Sequence, residues 1–122
     1  MPMLTYQEMT PAACMEVLRE SSVTRAAFTD TERPYLVPMA FQLDADGLVP
    51  VIRLCMPDQG RKADCLGRSS HVCLEFERPG CAWVDVVLLE GTAELDLWAK
   101  GEGIALHVRA EALSGRRFFL PE

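Results

Sequence analysis

Apolar and polar residues alternate with a period of two along most of the chain, and this pattern predicts a fold built mainly from β-strands. One early segment has a helical pattern instead. Thr10 is a typical helix N-cap residue, and Pro11 after it suits the first helical position. We therefore predict a short helix that ends near Glu20 and covers one end of the sheet. Its apolar stripe consists of Cys14, Val17 and Leu18.

From residue 23 onward, the alternation predicts six strands separated by turns that contain glycine, proline or aspartate. The strands are predicted over residues 23–29, 35–43, 48–56, 72–77, 83–95 and 104–113. The segment Ser114-Gly115-Arg116-Arg117 has a turn composition and is expected to end the last strand. A second short helix is predicted over residues 61–67, with Ala63 and Leu66 facing inward.

The predicted strand over residues 35–43 has two unlike faces, because successive side chains of a strand point to opposite sides. One face is large and apolar, with Tyr35, Val37, Met39, Phe41 and Leu43. The other face is mostly small, with Leu36, Pro38, Ala40 and Gln42. The large face is expected to pack into the core.

The predicted strand over residues 83–95 is apolar on both faces at its centre, Val86-Val87-Leu88-Leu89. An antiparallel strand buried on both faces must lie beneath something else. One face can fill a barrel, whereas the other needs a lid or a second subunit. Gly91 further along this strand is interpreted as a β-bulge.

Six strands and two short helices predict a mainly β fold, an antiparallel barrel closed on itself to avoid exposed strand edges. The length of 122 residues fits one domain, residues 1–122, with a core large enough to be stable without disulfides. The first residues lack the basic and apolar regions of a signal peptide. No apolar run reaches the roughly 18 residues needed to span a bilayer. We therefore expect a soluble cytoplasmic protein with no membrane partner.

The five cysteines are odd in number and include no CxxC pair, so free and mostly buried thiols are favoured over a zinc site or any other metal site. The formal net charge of −6 argues against nucleic-acid binding, which needs a basic surface. An acidic protein that binds an anion must concentrate its positive charge locally. Two segments do so, Arg61-Lys62 and Arg116-Arg117.

The pair Arg61-Lys62 stands at the predicted start of the second helix, where free amides and the helix dipole favour an anion. A guanidinium can bind two phosphate oxygens at once, and an ammonium adds a point charge. Gly60 before the pair allows close approach of the backbone. These residues fit a phosphate site, but a solvated basic pair on a surface turn fits the same pattern, and the residues alone leave both open.

Several stretches, in this order and at this spacing, resemble the pyridoxamine 5′-phosphate oxidase-like family of FMN-binding split β-barrels. Within that family the chain is most similar to the small related proteins that include nitroimidazole-resistance proteins. The matching stretches are Arg33-Pro34-Tyr35-Leu36-Val37-Pro38-Met39-Ala40-Phe41, Gly60-Arg61-Lys62-Ala63-Asp64-Cys65-Leu66, His71-Val72-Cys73-Leu74-Glu75-Phe76, Trp83-Val84-Asp85-Val86-Val87-Leu88-Leu89-Glu90-Gly91 and Leu113-Ser114-Gly115-Arg116-Arg117.

The resemblance implies a six-stranded split barrel that forms a homodimer, with FMN at the subunit interface. It implies that Gly60, Arg61 and Lys62 hold the phosphate and that the isoalloxazine ring lies across the second and third predicted strands. The residues expected near the ring are Pro38, Met39, Ala40, Cys55 and Met56. Asp85 matches a family position from which a polar residue can reach a flavin; a salt bridge is an equally good interpretation of this residue.

The function implied is that of an FMN-dependent oxidoreductase acting on a small molecule, with the flavin carrying the chemistry. No residue is identified as catalytic. Pyridoxamine phosphate oxidase activity itself is not expected, because the arginine and histidine tail specific to that enzyme is missing. Two alternatives stay open: a flavin- or haem-binding module without turnover, and a cofactor-free dimer that acts in protein interactions.

Overall fold

The computed structural model describes residues 5–30, 33–56, 60–96 and 103–121. These residues form seven strands and two helices. The elements are β1 Tyr6–Glu8, α1 Pro11–Glu20, β2 Val23–Phe28, β3 Tyr35–Asp44, β4 Val51–Met56, α2 Arg61–Arg68, β5 His71–Pro79, β6 Trp83–Asp96 and β7 Ile104–Phe119. All six predicted strands are present. Strand β1 was not predicted, since three residues are too short to show a period.

The strands form a closed antiparallel barrel. Their order is β7-β4-β3-β2-β5-β6, and β6 pairs back with β7 to close the ring of six. Strand β7 pairs along its full length with β6, but on its other edge it pairs first with β4 and then with β1. The predicted fold class, a mainly β six-stranded antiparallel barrel with short helices, is confirmed, with β1 as one additional strand.

The barrel interior is filled by the apolar faces that the alternation predicted. On β3 the side chains of the large face pack against the core, and those of the small face are exposed. Phe41 meets Phe76 of β5 edge to face, with ring centroids 5.0 Å apart. The fully buried interior side chains of the other strands include Ile52, Leu54, Leu74, Phe76, Val87, Leu89, Leu106 and Val108.

Helix α1 has the predicted bounds and the predicted cap. The Thr10 hydroxyl oxygen accepts a hydrogen bond from the amide of Ala13 at 3.1 Å, which satisfies one of the free amides of the first turn. Cys14, Val17 and Leu18 are buried, so the predicted apolar stripe is the face that packs on the barrel.

The last strand is longer than predicted, since the segment over residues 114–117 continues β7 rather than ending it. The residue types suggested a turn, but their roles are different. Gly115 is buried beneath α1, and a Cβ atom there would lie only 2.6 Å from Sγ of Cys14. The glycine therefore allows the helix to approach the strand closely, and the alternation of Arg116 and Arg117 is that of a strand with one outer and one inner side chain.

Strand β6 confirms two predictions. The register of its pairing with β7 shifts between Glu90 and Gly91, as expected for a bulge. Val87 and Leu89 are buried in the barrel, whereas Leu88 on the outer face is 41% exposed. The outer apolar face of β6 is thus uncovered in a single chain.

Helix α2 extends one residue beyond the predicted end. Its buried residue is Cys65, and Ala63 and Leu66 are partly buried against the core. Gly60 at the N-cap has φ of 106°, in the left-handed region that favours glycine. Neither helix in the described residues is long and apolar enough to cross a membrane.

Candidate functional site

An open cavity of about 410 Å³ lies against the outer faces of β3 and β4, beside the start of α2. Five of the residues that the sequence predicted for the cofactor meet here. They are Pro38, Met39, Ala40, Cys55 and Lys62. The remaining lining residues are Phe41, Gln42 and Arg53. Most residues of this wall are therefore among those expected near the cofactor.

The floor of the cavity is low because the exposed face of β3 carries small side chains. Pro38 and Ala40 are exposed, while the side chain of Met39 between them is buried in the core. Met39 therefore contributes its backbone to the wall. A strand surface of this kind lets a flat ring approach backbone donors and acceptors closely.

Two cations, Arg53 and Lys62, line the cavity, and among the described residues no aspartate or glutamate lines it. Within the described part of the chain, neither cation forms an ion pair. In a protein with a formal net charge of −6, this cavity is locally positive. An anionic ligand would meet both cations without displacing a carboxylate.

Arg53 was missed by the sequence analysis, although a signal for it was present. Along β4 the buried residues are Ile52, Leu54 and Met56. Arg53 and Cys55 therefore share the outer face, and the prediction included only Cys55. The resemblance implied Cys55, and the alternation along the strand puts Arg53, two residues earlier, on the same face.

Four of the predicted residues do not line the cavity: Asp85, described below, and three residues at or near the start of α2. Met56 points into the core with only 3% of its surface exposed. Gly60 caps α2, and its carbonyl accepts from the amide of Asp64 at 3.0 Å. Arg61 is engaged elsewhere: its Nε lies 2.9 Å from Oδ2 of Asp30, and its guanidinium stacks 4.1 Å from the ring centroid of Tyr35.

Asp85 lies in a different part of the barrel and is fully buried. Arg117 of β7 donates to it from Nε at 2.7 Å and from Nη2 at 3.0 Å. Arg78 of β5 donates to Oδ2 of the same carboxylate at 3.2 and 2.9 Å. Arg78 also reaches Glu20 at the end of α1, at 3.0 Å. Asp85 therefore forms a salt bridge, which is one of the two interpretations that the sequence allowed.

The Asp85 cluster, meaning Asp85 with Arg78 and Arg117, holds its carboxylate in the charged form. Hydrogen bonds from Arg117 lower the pKa of Asp85 below its ordinary value, those from Arg78 act in the same direction, and burial opposes both. Nearby, burial and the charge of Asp85 raise the pKa of the Cys14 thiol. Cys14 is therefore a neutral packing residue rather than a nucleophile.

All five cysteines are free. The expectation that most of them are buried is wrong, since only Cys14 and Cys65 are buried, while Cys55 and Cys81 are exposed. Across the ranges that the structure describes, no three histidine, cysteine or acidic side chains are grouped so that they could hold a metal ion.

No family model matches the sequence, and no curated protein matches it. Solved structures do match the fold. A candidate 5-nitroimidazole antibiotic resistance protein from Bacteroides thetaiotaomicron has a TM-score of 0.85 at 16% identity, over 96% of this chain and 90% of that one. An FAD-binding protein from Mesorhizobium loti has a TM-score of 0.81 at 16% identity, over 94% and 98% of the two chains.

A third similar structure is a candidate pyridoxamine 5′-phosphate oxidase from Corynebacterium glutamicum, with a TM-score of 0.74 at 17% identity over 96% of each chain. At this level of identity the comparison shows a common fold. Proteins of the kind that the sequence resembles are among the structural neighbours, and the expected split barrel is confirmed.

Proposed function

We propose that this chain binds FMN in the cavity beside β3, β4 and α2, and that the complex is an oxidoreductase acting on a small molecule. The observation that carries the proposal is the convergence of Pro38, Met39, Ala40, Cys55 and Lys62 on one cavity wall. These residues come from three separate elements, β3, β4 and α2, and the family resemblance assigns all five to one cofactor.

The wall has the chemistry that FMN requires. The volume of the cavity, about 410 Å³, falls within the range of roughly 300–1,000 Å³ common for ligand sites. Pro38 and Ala40 offer a flat surface to a ring, and the cations suit a phosphate. When bound, the flavin supplies the redox chemistry, and this chain supplies binding, orientation and electrostatics. Among the residues that the structure describes, those lining the cavity include no histidine, aspartate or glutamate.

We also propose that two copies of the chain assemble through the outer faces of β1, β6 and β7. A groove of about 450 Å³ lies there. Leu88 and Tyr6 on this side are large and exposed, and Glu8 and Arg116 line the groove with opposite charges. Exposed apolar surface rimmed by charges is typical of an interface, and opposite charges on one patch can pair across a two-fold axis.

A cytoplasmic location belongs to the same proposal. All five cysteines are free, and two of them are exposed, which suits a reducing compartment.

The first experiment is to purify the protein, record its absorbance spectrum and determine the mass of any small molecule that it releases. We expect a yellow protein that releases FMN. A second candidate ligand is FAD, because one structural neighbour is described as FAD-binding. Release of FAD would favour that flavin, a red protein with a Soret band would favour haem, and a colourless protein that gains no flavin on titration would contradict the proposal.

The oxidoreductase step has its own test. The flavin-loaded protein is reduced without oxygen and then mixed with a nitroimidazole or with another small acceptor, and the return of flavin absorbance is followed. Reoxidation faster than that of free reduced FMN at equal concentration is expected. Reoxidation no faster than free FMN with any acceptor would favour a binding module without turnover.

The assembly is tested by placing a charge on the outer face of β6. Leu88→Glu is expected to convert the dimer to a monomer in sedimentation velocity, because a buried unpaired carboxylate is costly at an interface. Leu48→Glu is the matched control, since Leu48 is exposed and does not line the groove. An unchanged dimer in Leu88→Glu would remove this face from the interface.

A further inference from the structure

Arg61, which the family resemblance assigns to the phosphate, has its guanidinium in contact with two neighbouring side chains. Its Nε edge pairs with Asp30 at 2.9 Å, and its flat face covers the ring of Tyr35 at 4.1 Å from the centroid. Asp30 follows β2 and Tyr35 begins β3. The side chain of Arg61 therefore points toward the connection between β2 and β3 and does not line the cavity.

Asp30 holds both ends of helix α2. Arg61 is its first residue and Arg68 its last, and Arg68 Nη1 lies 3.6 Å from Oδ1 of the same carboxylate. The Asp30 side chain is only 16% exposed, so this pairing is partly shielded from water. Cys65 is the one buried residue among those of α2, so the helix buries little apolar surface against the barrel. The two ion pairs with Asp30 contribute further to its attachment.

The cavity nevertheless contains an arginine. Arg53 of β4 stands in cross-strand register with Gln42 of β3, and both line the cavity together with Lys62. Within the described ranges no carboxylate lines this wall, and Arg53 has no ion-pair partner there. An arginine and a lysine on one wall are the combination that phosphate recognition uses most directly.

We infer that Arg53 and Lys62 together hold the phosphate of the flavin nucleotide, and that Arg61 is a positioning residue that fixes α2, and with it Lys62, through Asp30 and Tyr35. This inference rests on the proposed flavin function and revises the role of Arg61. The reason is one of geometry: the Arg61 guanidinium is turned toward Asp30 and Tyr35 and does not line the cavity, whereas Arg53 does line it.

The two roles are separated by comparing FMN with riboflavin, which has the same ring and lacks the phosphate. Both flavins are titrated by fluorescence against the wild-type protein, Arg53→Gln, Lys62→Gln and Arg61→Gln. Arg53→Gln and Lys62→Gln are expected to weaken FMN binding about tenfold each and to leave riboflavin affinity unchanged, because each removes a charge-assisted contact to phosphate. Arg61→Gln is expected to weaken both flavins by the same small factor.

Asp30→Asn provides an independent measurement of the positioning role. Because Asp30 is the partner of Arg61, it should reproduce the effect of Arg61→Gln on both flavins, and the two substitutions should not add in thermal stability. Arg109→Gln is the matched control, since Arg109 is an exposed arginine of β7 that does not line the cavity. It should leave both affinities and the thermal midpoint unchanged.

The outcomes distinguish this inference from the proposed function. Wild-type protein that binds neither flavin overturns both. Protein that binds FMN and riboflavin equally well keeps the flavin function and overturns the phosphate pair. Selective loss of FMN in Arg61→Gln, with wild-type behaviour in Arg53→Gln, overturns the inference and restores Arg61 to the phosphate. Additive effects of Arg61→Gln and Asp30→Asn on stability overturn the positioning role.

Discussion

Two regions of this barrel each contain two cations from different elements, and they use them in opposite ways. In the Asp85 cluster, Arg78 and Arg117 converge on one fully buried carboxylate. In the cavity, Arg53 and Lys62 share a wall on which the described residues place no carboxylate. The first arrangement balances its charges within the protein, and the second has two cations without a carboxylate among the described lining residues.

The difference shows how structural charges can be told from functional ones. A buried carboxylate is stable only when its partners supply hydrogen bonds, so Asp85 and its arginines are bound to each other and have little capacity for a ligand. Cations beside a cavity that have no carboxylate partner are hydrated, so an anionic ligand can bind them by replacing that water. Arg61, which the resemblance assigned to a phosphate, belongs to the first kind, because it is paired with Asp30.

The largest expected effect comes from removing the buried carboxylate. Asp85→Ala should lower the free energy of unfolding by about 2–4 kcal/mol, at or below the usual cost of breaking a buried pair, because the two arginine side chains still reach solvent. Arg78 is 23% exposed and Arg117 is 34% exposed. Urea unfolding measures the loss. Glu77→Ala, which removes an exposed partner of Arg25, is the control and should change little. Equal effects of the two variants would contradict the comparison.

A carboxylate placed in the cavity should make the second region resemble the first. Ala40→Asp puts an anion on the wall that Arg53 and Lys62 share. It should weaken FMN binding roughly 10- to 100-fold relative to Ala40→Asn, which has the same shape without the charge. Flavin fluorescence measures both. Equal affinities in the two variants would mean that the charge of the cavity does not contribute to binding.

Acid should weaken the Asp85 cluster in a predictable direction. Its carboxyl has a pKa in the folded state below the unfolded value, which is about 3.9. Its contribution to stability is therefore fully present above that unfolded value and is lost as the pH falls through the lower folded one. Wild type should lose stability more steeply than Asp85→Asn below about pH 4. A difference between them that does not change with pH would contradict the assignment.

The smallest effect concerns the thiols of the two regions. Cys55 lines the cavity and is exposed, whereas Cys14 is buried beside the Asp85 cluster, where burial raises its pKa. A thiol reagent should label Cys55 and the exposed Cys81 quickly and label Cys14 only on unfolding. FMN should slow labelling at Cys55 several-fold, in a Cys81→Ser background. Equal protection of Cys81 by FMN in the wild-type protein would argue against the cavity as the binding site.

Much of the fold was predictable because it depends on local periodicity. The faces of β3, the cap of α1 and the bulge in β6 were predicted because neighbouring residues along the chain decide them. The predicted end of β7 was wrong because glycine is common in turns, whereas Gly115 lies within the strand and allows α1 to approach closely. Strand β1 was missed because its three residues are too few to show a period and its partner strand, β7, lies far away in the sequence.

The candidate site was predictable in its residue types and only partly in its geometry. Lys62 and the small face of β3 were identified from the sequence, and the strands brought them to one cavity. The partners of Arg61 and Asp85 were not predictable, because Asp30 lies 31 residues from Arg61 and Arg117 lies 32 residues from Asp85. No local pattern reports an ion pair over such a separation.

By itself, the sequence determined which strand residues face inward and that positive charge is scarce. These properties depend on side-chain chemistry and on spacing within a few residues. Only the tertiary structure decided which cations have partners. An arginine is paired within the protein when the closed barrel brings a carboxylate within hydrogen-bonding distance of it, and otherwise it can bind an anionic ligand. The position of that carboxylate depends on the fold of the whole chain.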